Sequence, residues 1–277
     1  EEIHVIYGDT GVEIPTLHRH AESFLKELDV ADNVYIHWLR PEPAESFWTL
    51  VIGKGYPPPH QRFRWCTNKL KIKPARKIIK QLSLRGPVAV FTGVRFGESD
   101  LRDRRMSQVC GRGGECGHGV WMEEASKLGV TYLAPIAFWR ECQVWDYLNF
   151  IAPSLGYPTH RLADVYGNQD TRFGCWICTV VRQDRTMQHI VNTPEGSMWR
   201  PLMEFRNWLA SFALNPTNRV KRPNGANGRL TLAARKEILK RVKDLEKAIG
   251  INILSSEELR QIEAYWQDPK YADEYSR

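Results

Sequence analysis

The stretch "IHVIYGDTG", Ile3 to Gly11, decides the fold. Its opening is a short apolar run rich in β-branched residues, which reads as a buried strand. Gly-Asp-Thr-Gly then reads as a loop at the strand's C-terminal end. "IPTLHRHAESFLKEL" follows with helical spacing and Pro15 near its start. "NVYIHWL" reads as a second strand and "PVAVF", before "TGVR", as the clearest one. "VTYLAPI" is a further strand, and "RECQVWDYLNFIAP" the helix after it. "SFWTLVIGKGYPPPH" reads as a short helix broken by Gly53 and Gly55.

Strands that alternate with helices imply an α/β fold, a parallel twisted sheet flanked by helices, over residues 1–152. Residues 153–277 are expected to carry a cysteine motif and a mainly helical C-terminal lobe. In parallel α/β sheets ligands collect at the C-terminal ends of the strands. Asp9, Thr10, Gly11, Gly93 and Arg95 all follow expected strands, so they are the first candidates for one site. From about Asp184 the pattern is helical. "TLAARKEILKRVKDLEKAIG" places Ile238, Val242, Leu245 and Ile249 on one face and Arg235, Lys236, Lys240 and Arg241 on the other. The intervening "NRVKRPNGANGRL" has the composition of a mobile phosphate-contacting loop, with Arg219, Lys221, Arg222 and Arg229.

The 277 residues carry 39 Lys plus Arg against 32 Asp plus Glu, a net charge of +7. That surplus favours polyanionic partners without requiring one. Hydrophobic residues make up 42%, enough for a sizeable core. No apolar run approaches a membrane span, and the first residues lack the form of a signal peptide. Six cysteines are too few for a secreted disulfide scaffold. Together these features point to the reducing cytoplasm and to a metal or thiol role.

Two basic groups stand out. "FTGVRFGESDLRDRR" sets Arg95 at the mouth of a sheet and Glu98 in the first turn of a helix, followed by Arg102, Arg104 and Arg105. "FRWCTNKLKIKP" embeds Cys66 among Arg62, Arg64, Lys69, Lys71 and Lys73. Cationic neighbours lower a thiol pKa, which makes Cys66 a candidate nucleophile or sulfur carrier beside the reading of a buried structural thiol. Guanidinium groups suit phosphate oxygens, beside the reading of a salt-bridged helix of exposed arginines.

Cys110 and Cys116 form one pair, and Cys175 and Cys178, in "TRFGCWICTVV", form another. Two pairs are what a four-coordinate site needs. The spacing fits an iron–sulfur cluster, zinc, or unrelated cysteines. A redox disulfide fits less well, since "TRFG" is a poor strand to lead into a thioredoxin-like turn. Cys142 reads as a packing residue of an amphipathic helix.

"GDTGVEIP", "FRWCTNKLKIKP", "TGVRFGESDLR" and "LAPIAFWRECQVWDYL" occur in the order and spacing of the phosphoadenosine-phosphosulfate (PAPS) reductase family of ATP pyrophosphatases, which the chain resembles. "SFWTLVIGKGYPPPHQRFRWCT", "RFGCWICTVVRQDRTM" and "GRLTLAARKEIL" are most similar to its DNA phosphorothioation sulfurtransferases, of the DndC and SspD type. The resemblance implies an adenine nucleotide alpha hydrolase-like fold. It implies ATP with Mg2+ as the nucleotide, activation of the DNA backbone with release of pyrophosphate, and sulfur insertion. Asp9, Thr10, Gly11, Lys69, Lys71, Gly93, Arg95 and Arg102 would contact the nucleotide, and Cys66, Arg95 and Glu98 would serve the chemistry. The resemblance favours a [4Fe–4S] cluster at Cys110, Cys116, Cys175 and Cys178, with zinc as the alternative. It implies DNA, a cysteine desulfurase as sulfur donor and other phosphorothioation proteins as partners, and no membrane.

Two departures bear on this. The SGGxDS phosphate loop of the family does not occur in the sequence, and an upstream segment is expected to provide it. The two cluster cysteines expected shortly before "RFGCW" are missing too, with Cys110 and Cys116 as substitutes. A PAPS or adenylylsulfate reductase is the alternative, against which stands the tail "YADEYSR" without a cysteine. A non-catalytic nucleic-acid-binding module is the third reading.

Overall fold

The computed structural model describes residues 1–29, 31–98, 100, 103–104, 106–107, 121–125, 129–159, 162 and 174–273. The chain splits into two compact units. One comprises Glu1–Ala75 with Ala163–Arg277, and the other Arg76–Leu162. The expected division at residue 152 thus differs from the compact units, because the N-terminal segment and the C-terminal helices build one core.

In the first unit, β1 (Ile3–Gly8) and β2 (Val34–Leu39) pair in parallel, with Ile3 opposite Val34 and Gly8 opposite Leu39. Helix α1 (Pro15–Leu28) connects them, with Pro15 in its first turn as expected. The "FWTLVIG" stretch forms a π-helical turn, Thr49–Gly53, in which all five residues are buried. A second π-helical stretch, Thr67–Ile72, leads straight into α2 (Lys73–Ser83). Pro74 therefore lies inside a continuous helical run, just past the π-helical stretch, and does not break it.

The core of this unit gathers distant parts of the sequence. Val12, Ile14, Trp48, Leu50 and Ile52 pack with Trp176, Leu202, Leu209, Ile238 and Ile262. The last four come from three helices, α5 (Arg200–Leu214), α6 (Leu232–Ile249) and α7 (Ser256–Gln267). The shorter α4 (Arg185–Val191) precedes them, capped by the Asp184 carboxylate on the Met187 N–H.

The second unit holds a three-stranded sheet in the order β3-β5-β4. β3 (Val88–Phe91) and β5 (Val130–Ala134) are parallel, and β4 (Trp121–Ala125) is antiparallel to β5. Helix α3 (Glu141–Asp146) follows. Its small core is Met106, Ala134 and Ala137. The fold is the expected α/β type, with parallel strand pairs and flanking helices.

Three expectations are corrected. Arg235 does not lie on a solvated face. It is fully buried, and donates to Gly53 O at 2.7 Å and Tyr271 O at 2.6 Å. Cys142 is exposed rather than packed. The "NRVKRPNGANGRL" stretch is a hairpin of β6 (Arg219–Lys221) and β7 (Asn227–Leu230) rather than an open loop. Two of its three arginines are consumed in holding it: Arg219 donates to Gly228 O and Ala213 O, and Arg229 to Lys270 O and Ala272 O, while Arg222 is exposed.

Candidate functional site

The loop after β1 is closed by its own carboxylates. The Gly11 N–H donates to Asp9 Oδ1 at 2.9 Å, and Arg40 Nε donates to Asp9 Oδ2 at 2.6 Å. The Thr10 N–H donates to Glu13 Oε2 at 2.9 Å, and the Val12 N–H to the same oxygen at 3.3 Å. Gly11, at φ 76°, supplies the left-handed residue that lets the chain turn back. Asp9 and Thr10 are buried as a result.

This loop meets the C-x2-C turn. Glu13 and Cys175 form an antiparallel bridge, and the Trp176 N–H donates to Val12 O at 3.0 Å. Thr10 Oγ1 lies 3.5 Å from Cys175 Sγ and donates to Glu13 Oε1 at 2.5 Å. A hydroxyl has one proton, and Glu13 takes it, so the Cys175 thiol is the donor toward Thr10. The Cys178 N–H donates to Cys175 O at 3.0 Å, which sets both cysteines on one turn. Thr179 Oγ1 donates to Pro59 O at 2.6 Å and ties this turn to the segment leading to Cys66.

Burial governs the titration of this cluster. It pushes the Cys175 thiol up to about 11, against the opposing pull of Lys71. It raises Glu13, although the Thr10 hydrogen bonds act the other way. It also raises Cys66, for which Lys71 is a minor opposing influence. The expected lowering of Cys66 by its cationic neighbours is therefore reversed. Two of those cations point their charge elsewhere: Lys69 donates to Glu45 Oε1 at 2.8 Å, and Lys73 donates to Glu45 Oε2. Those two lysines hold Glu45 down at about 2.

In the second unit, Gly93 and Arg95 follow β3, as the sequence implied. Arg95 Nε stands 3.4 Å from Glu98 Oε1, and Arg95 Nη1 donates to Trp139 O at 3.3 Å. Arg102, Cys110 and Cys116 lie outside the described residues. Among the described residues no three His, Cys, Asp or Glu side chains are arranged to hold a metal ion. The Cys175–Cys178 turn fits the C-x2-C half of a thiophilic centre, two positions of four.

The structure thus unites Asp9, Thr10, Gly11, Cys175 and Cys178, with Cys66 and Lys71 close by. Two residues of this neighbourhood escape the sequence reading. Glu13, the acceptor for the Thr10 and Val12 N–H groups, is marked only by its place four residues after Asp9. Arg206 carries a clearer signal, a cation inside the apolar stripe Leu202, Phe205, Leu209 and Ala213 of α5. It is 3% exposed and donates to Cys178 O at 2.8 Å.

A family model, the phosphoadenosine phosphosulfate reductase domain, matches residues 1–181. An uncharacterized protein of Methanocaldococcus jannaschii is 26% identical over 178 residues, which cover 64% of this chain and 31% of that protein. The chain thus spans about a third of the length of the curated relative it matches. A crystal structure of PAPS reductase from Candida auris, a phosphate complex, is 20% identical with a TM-score of 0.40, covering 64% of this chain and 70% of that one. The family match runs from β1 through the C-x2-C turn, so it includes both halves of the thiol site. The chain belongs to the phosphoadenosine phosphosulfate reductase domain family.

Proposed function

We propose that the chain is the ATP-dependent sulfurtransferase component, an ATP pyrophosphatase, of DNA phosphorothioate modification. The observation that carries this is the 3.5 Å approach of Thr10 Oγ1 to Cys175 Sγ. It joins the loop at the end of β1, where parallel α/β sheets take their ligands, to a pair of thiols. Activation followed by sulfur transfer needs that juxtaposition. In the proposed reaction a non-bridging oxygen of the DNA backbone attacks ATP, bound with Mg2+, and pyrophosphate leaves. A sulfur species then displaces the activated oxygen as part of AMP.

Arg95, held by Trp139 O and Glu98, would present a permanent cation to the departing phosphates. Glu98 would orient it. Lys69 and Lys71 would add charge for the nucleotide, Lys69 on release from Glu45. Cys66 would receive sulfur from a cysteine desulfurase. A [4Fe–4S] cluster, or zinc, held by Cys175 and Cys178 with Cys110 and Cys116, would supply a thiophilic metal centre. Other phosphorothioation proteins would complete the assembly in the cytoplasm. Among the described residues no helix is long and apolar enough to cross a membrane.

A PAPS or adenylylsulfate reductase is the second reading, and membership of the family supports it as well. Pyrophosphate release separates the two. With a chain that includes an upstream phosphate loop, prepared without oxygen, ATP is expected to yield pyrophosphate in the presence of DNA and a sulfur donor. Sulfite release from PAPS, with no ATP turnover, would instead establish the reductase.

A further inference from the structure

We propose that residues 182–185, immediately after the C-x2-C turn, form a phosphate-contact site for a nucleic-acid backbone. This rests on the nucleic-acid reading above and gives that substrate a place on the chain.

The backbone here is set from inside. Arg206 Nε donates to Cys178 O at 2.8 Å, Nη1 to Arg182 O at 3.2 Å, and Nη2 to Val181 O. Arg206 Nη1 also donates to Asn207 Oδ1 at 2.9 Å. With these carbonyls satisfied from within, the loop keeps its shape without using the Arg182 and Arg185 side chains. A recess of about 300 Å³ opens beside it, lined by Arg182, Gln183, Asp184, Gln188, Met203 and Asn207. A neighbouring recess of about 380 Å³ is lined by Arg182, Gln183 and Arg185.

Arg182 and Arg185 are exposed, and among the described residues neither guanidinium has a hydrogen-bond or ion-pair partner. The same holds for the side-chain amides of Gln183 and Gln188. Asp184 is the acid on this rim, and its carboxylate caps the Met187 N–H. Two exposed cations with free donors, and the amides beside them, match phosphodiester oxygens and the polar edges of sugar or base. A guanidinium keeps its charge at every working pH, so the site is always ready for an anion. The recess is at the small end for a site that encloses a free nucleotide, and its exposed rim suits a chain that passes across it.

The test is the salt dependence of binding to labelled duplex DNA and to RNA, by fluorescence anisotropy with the whole chain. Arg182→Ala with Arg185→Ala is expected to weaken binding more than tenfold at low salt. It should reduce the slope of log K against log salt by about 2, for two lost phosphate contacts. Arg182→Lys with Arg185→Lys should keep most of the slope. The hairpin variant Lys221→Ala with Arg222→Ala should leave it unchanged. An unaltered slope in the double alanine variant overturns the proposal, as does a wild-type chain that binds neither nucleic acid. Displacement by polyglutamate as effective as by DNA would assign the rim to an acidic protein, and displacement by ATP alone to a free nucleotide; either overturns it. Binding with the expected slope change but without ATP turnover removes the sulfurtransferase reading and leaves this site standing.

Discussion

The Cys178–Arg185 loop and the Arg219–Leu230 hairpin are both rich in arginine and use it in opposite senses. In the hairpin, two of the segment's three arginines turn back onto carbonyls: Arg219 holds Gly228 O at 2.8 Å, and Arg229 holds Lys270 O at 3.0 Å. In the loop, Arg206 of α5 does that work from the core, and Arg182 and Arg185 are left free. A count of positive charges therefore does not locate an anion site. What matters is which group satisfies the backbone carbonyls, since a guanidinium spent on them has fewer donors for a ligand.

The largest effect should come from Arg206→Met. It removes a buried cation and strips partners from the carbonyls of residues 178, 181 and 182. A loss of about 4 kcal/mol is expected in urea unfolding, with faster alkylation of Cys178 in the folded fraction. Unchanged alkylation would mean that the turn holds itself. Gly55→Ala should cost about 2 kcal/mol by the same measurement. Gly55 has φ 76°, its added Cβ would meet Leu230 O at 2.9 Å, and its carbonyl accepts the Leu230 N–H at the end of the hairpin. Arg219→Ala should cost about 1.5 kcal/mol, the hydrogen bonds of a half-buried cation.

A third cationic stretch, Lys69 to Lys73, behaves like the hairpin and can be read by pH. Glu45 is held down at about 2, from an ordinary 4.5, by its hydrogen bonds to Lys69 and Lys73. Its contribution is full above pH 4.5 and is lost as pH falls toward 2. Urea unfolding across that window should show a shallower acid loss in Lys69→Ala with Lys73→Ala. The smallest effect belongs to Arg182→Ala and Arg185→Ala, whose thermal unfolding should stay within about 0.5 kcal/mol of the parent. A larger loss would mean these arginines are structural after all.

Much of the fold was legible because four strands announce themselves as apolar, β-branched runs: "IHVIY", "VYIHWL", "VAVF" and "VTYLA". β4 was not, since "WMEEA" has two adjacent glutamates and no alternation. The single core joining Trp48 to Trp176 and Ile238 was not legible either, because nothing local links residues so far apart. At the site, the cysteine pair and the Asp9–Gly11 loop were both visible, but their contact is tertiary. Cys66 misled for a physical reason: near neighbours in sequence suggested charge, while burial sets its proton affinity. Two buried arginines could have been found. Arg206 shares a helical stripe with Leu202, Leu209 and Ala213, and Arg235 with Ile238, Val242 and Leu245. A cation in an apolar stripe is a sign that carbonyls await it.

Arg235 has one more consequence. Its guanidinium spans from Gly53 O to Tyr271 O, so the closing stretch of the sequence acts as a stopper over a permanent charge in the interior. Proteolytic trimming ahead of Tyr271 would uncork that charge to water, and the damage would surface at the helical turn around Gly53, in the first quarter of the chain.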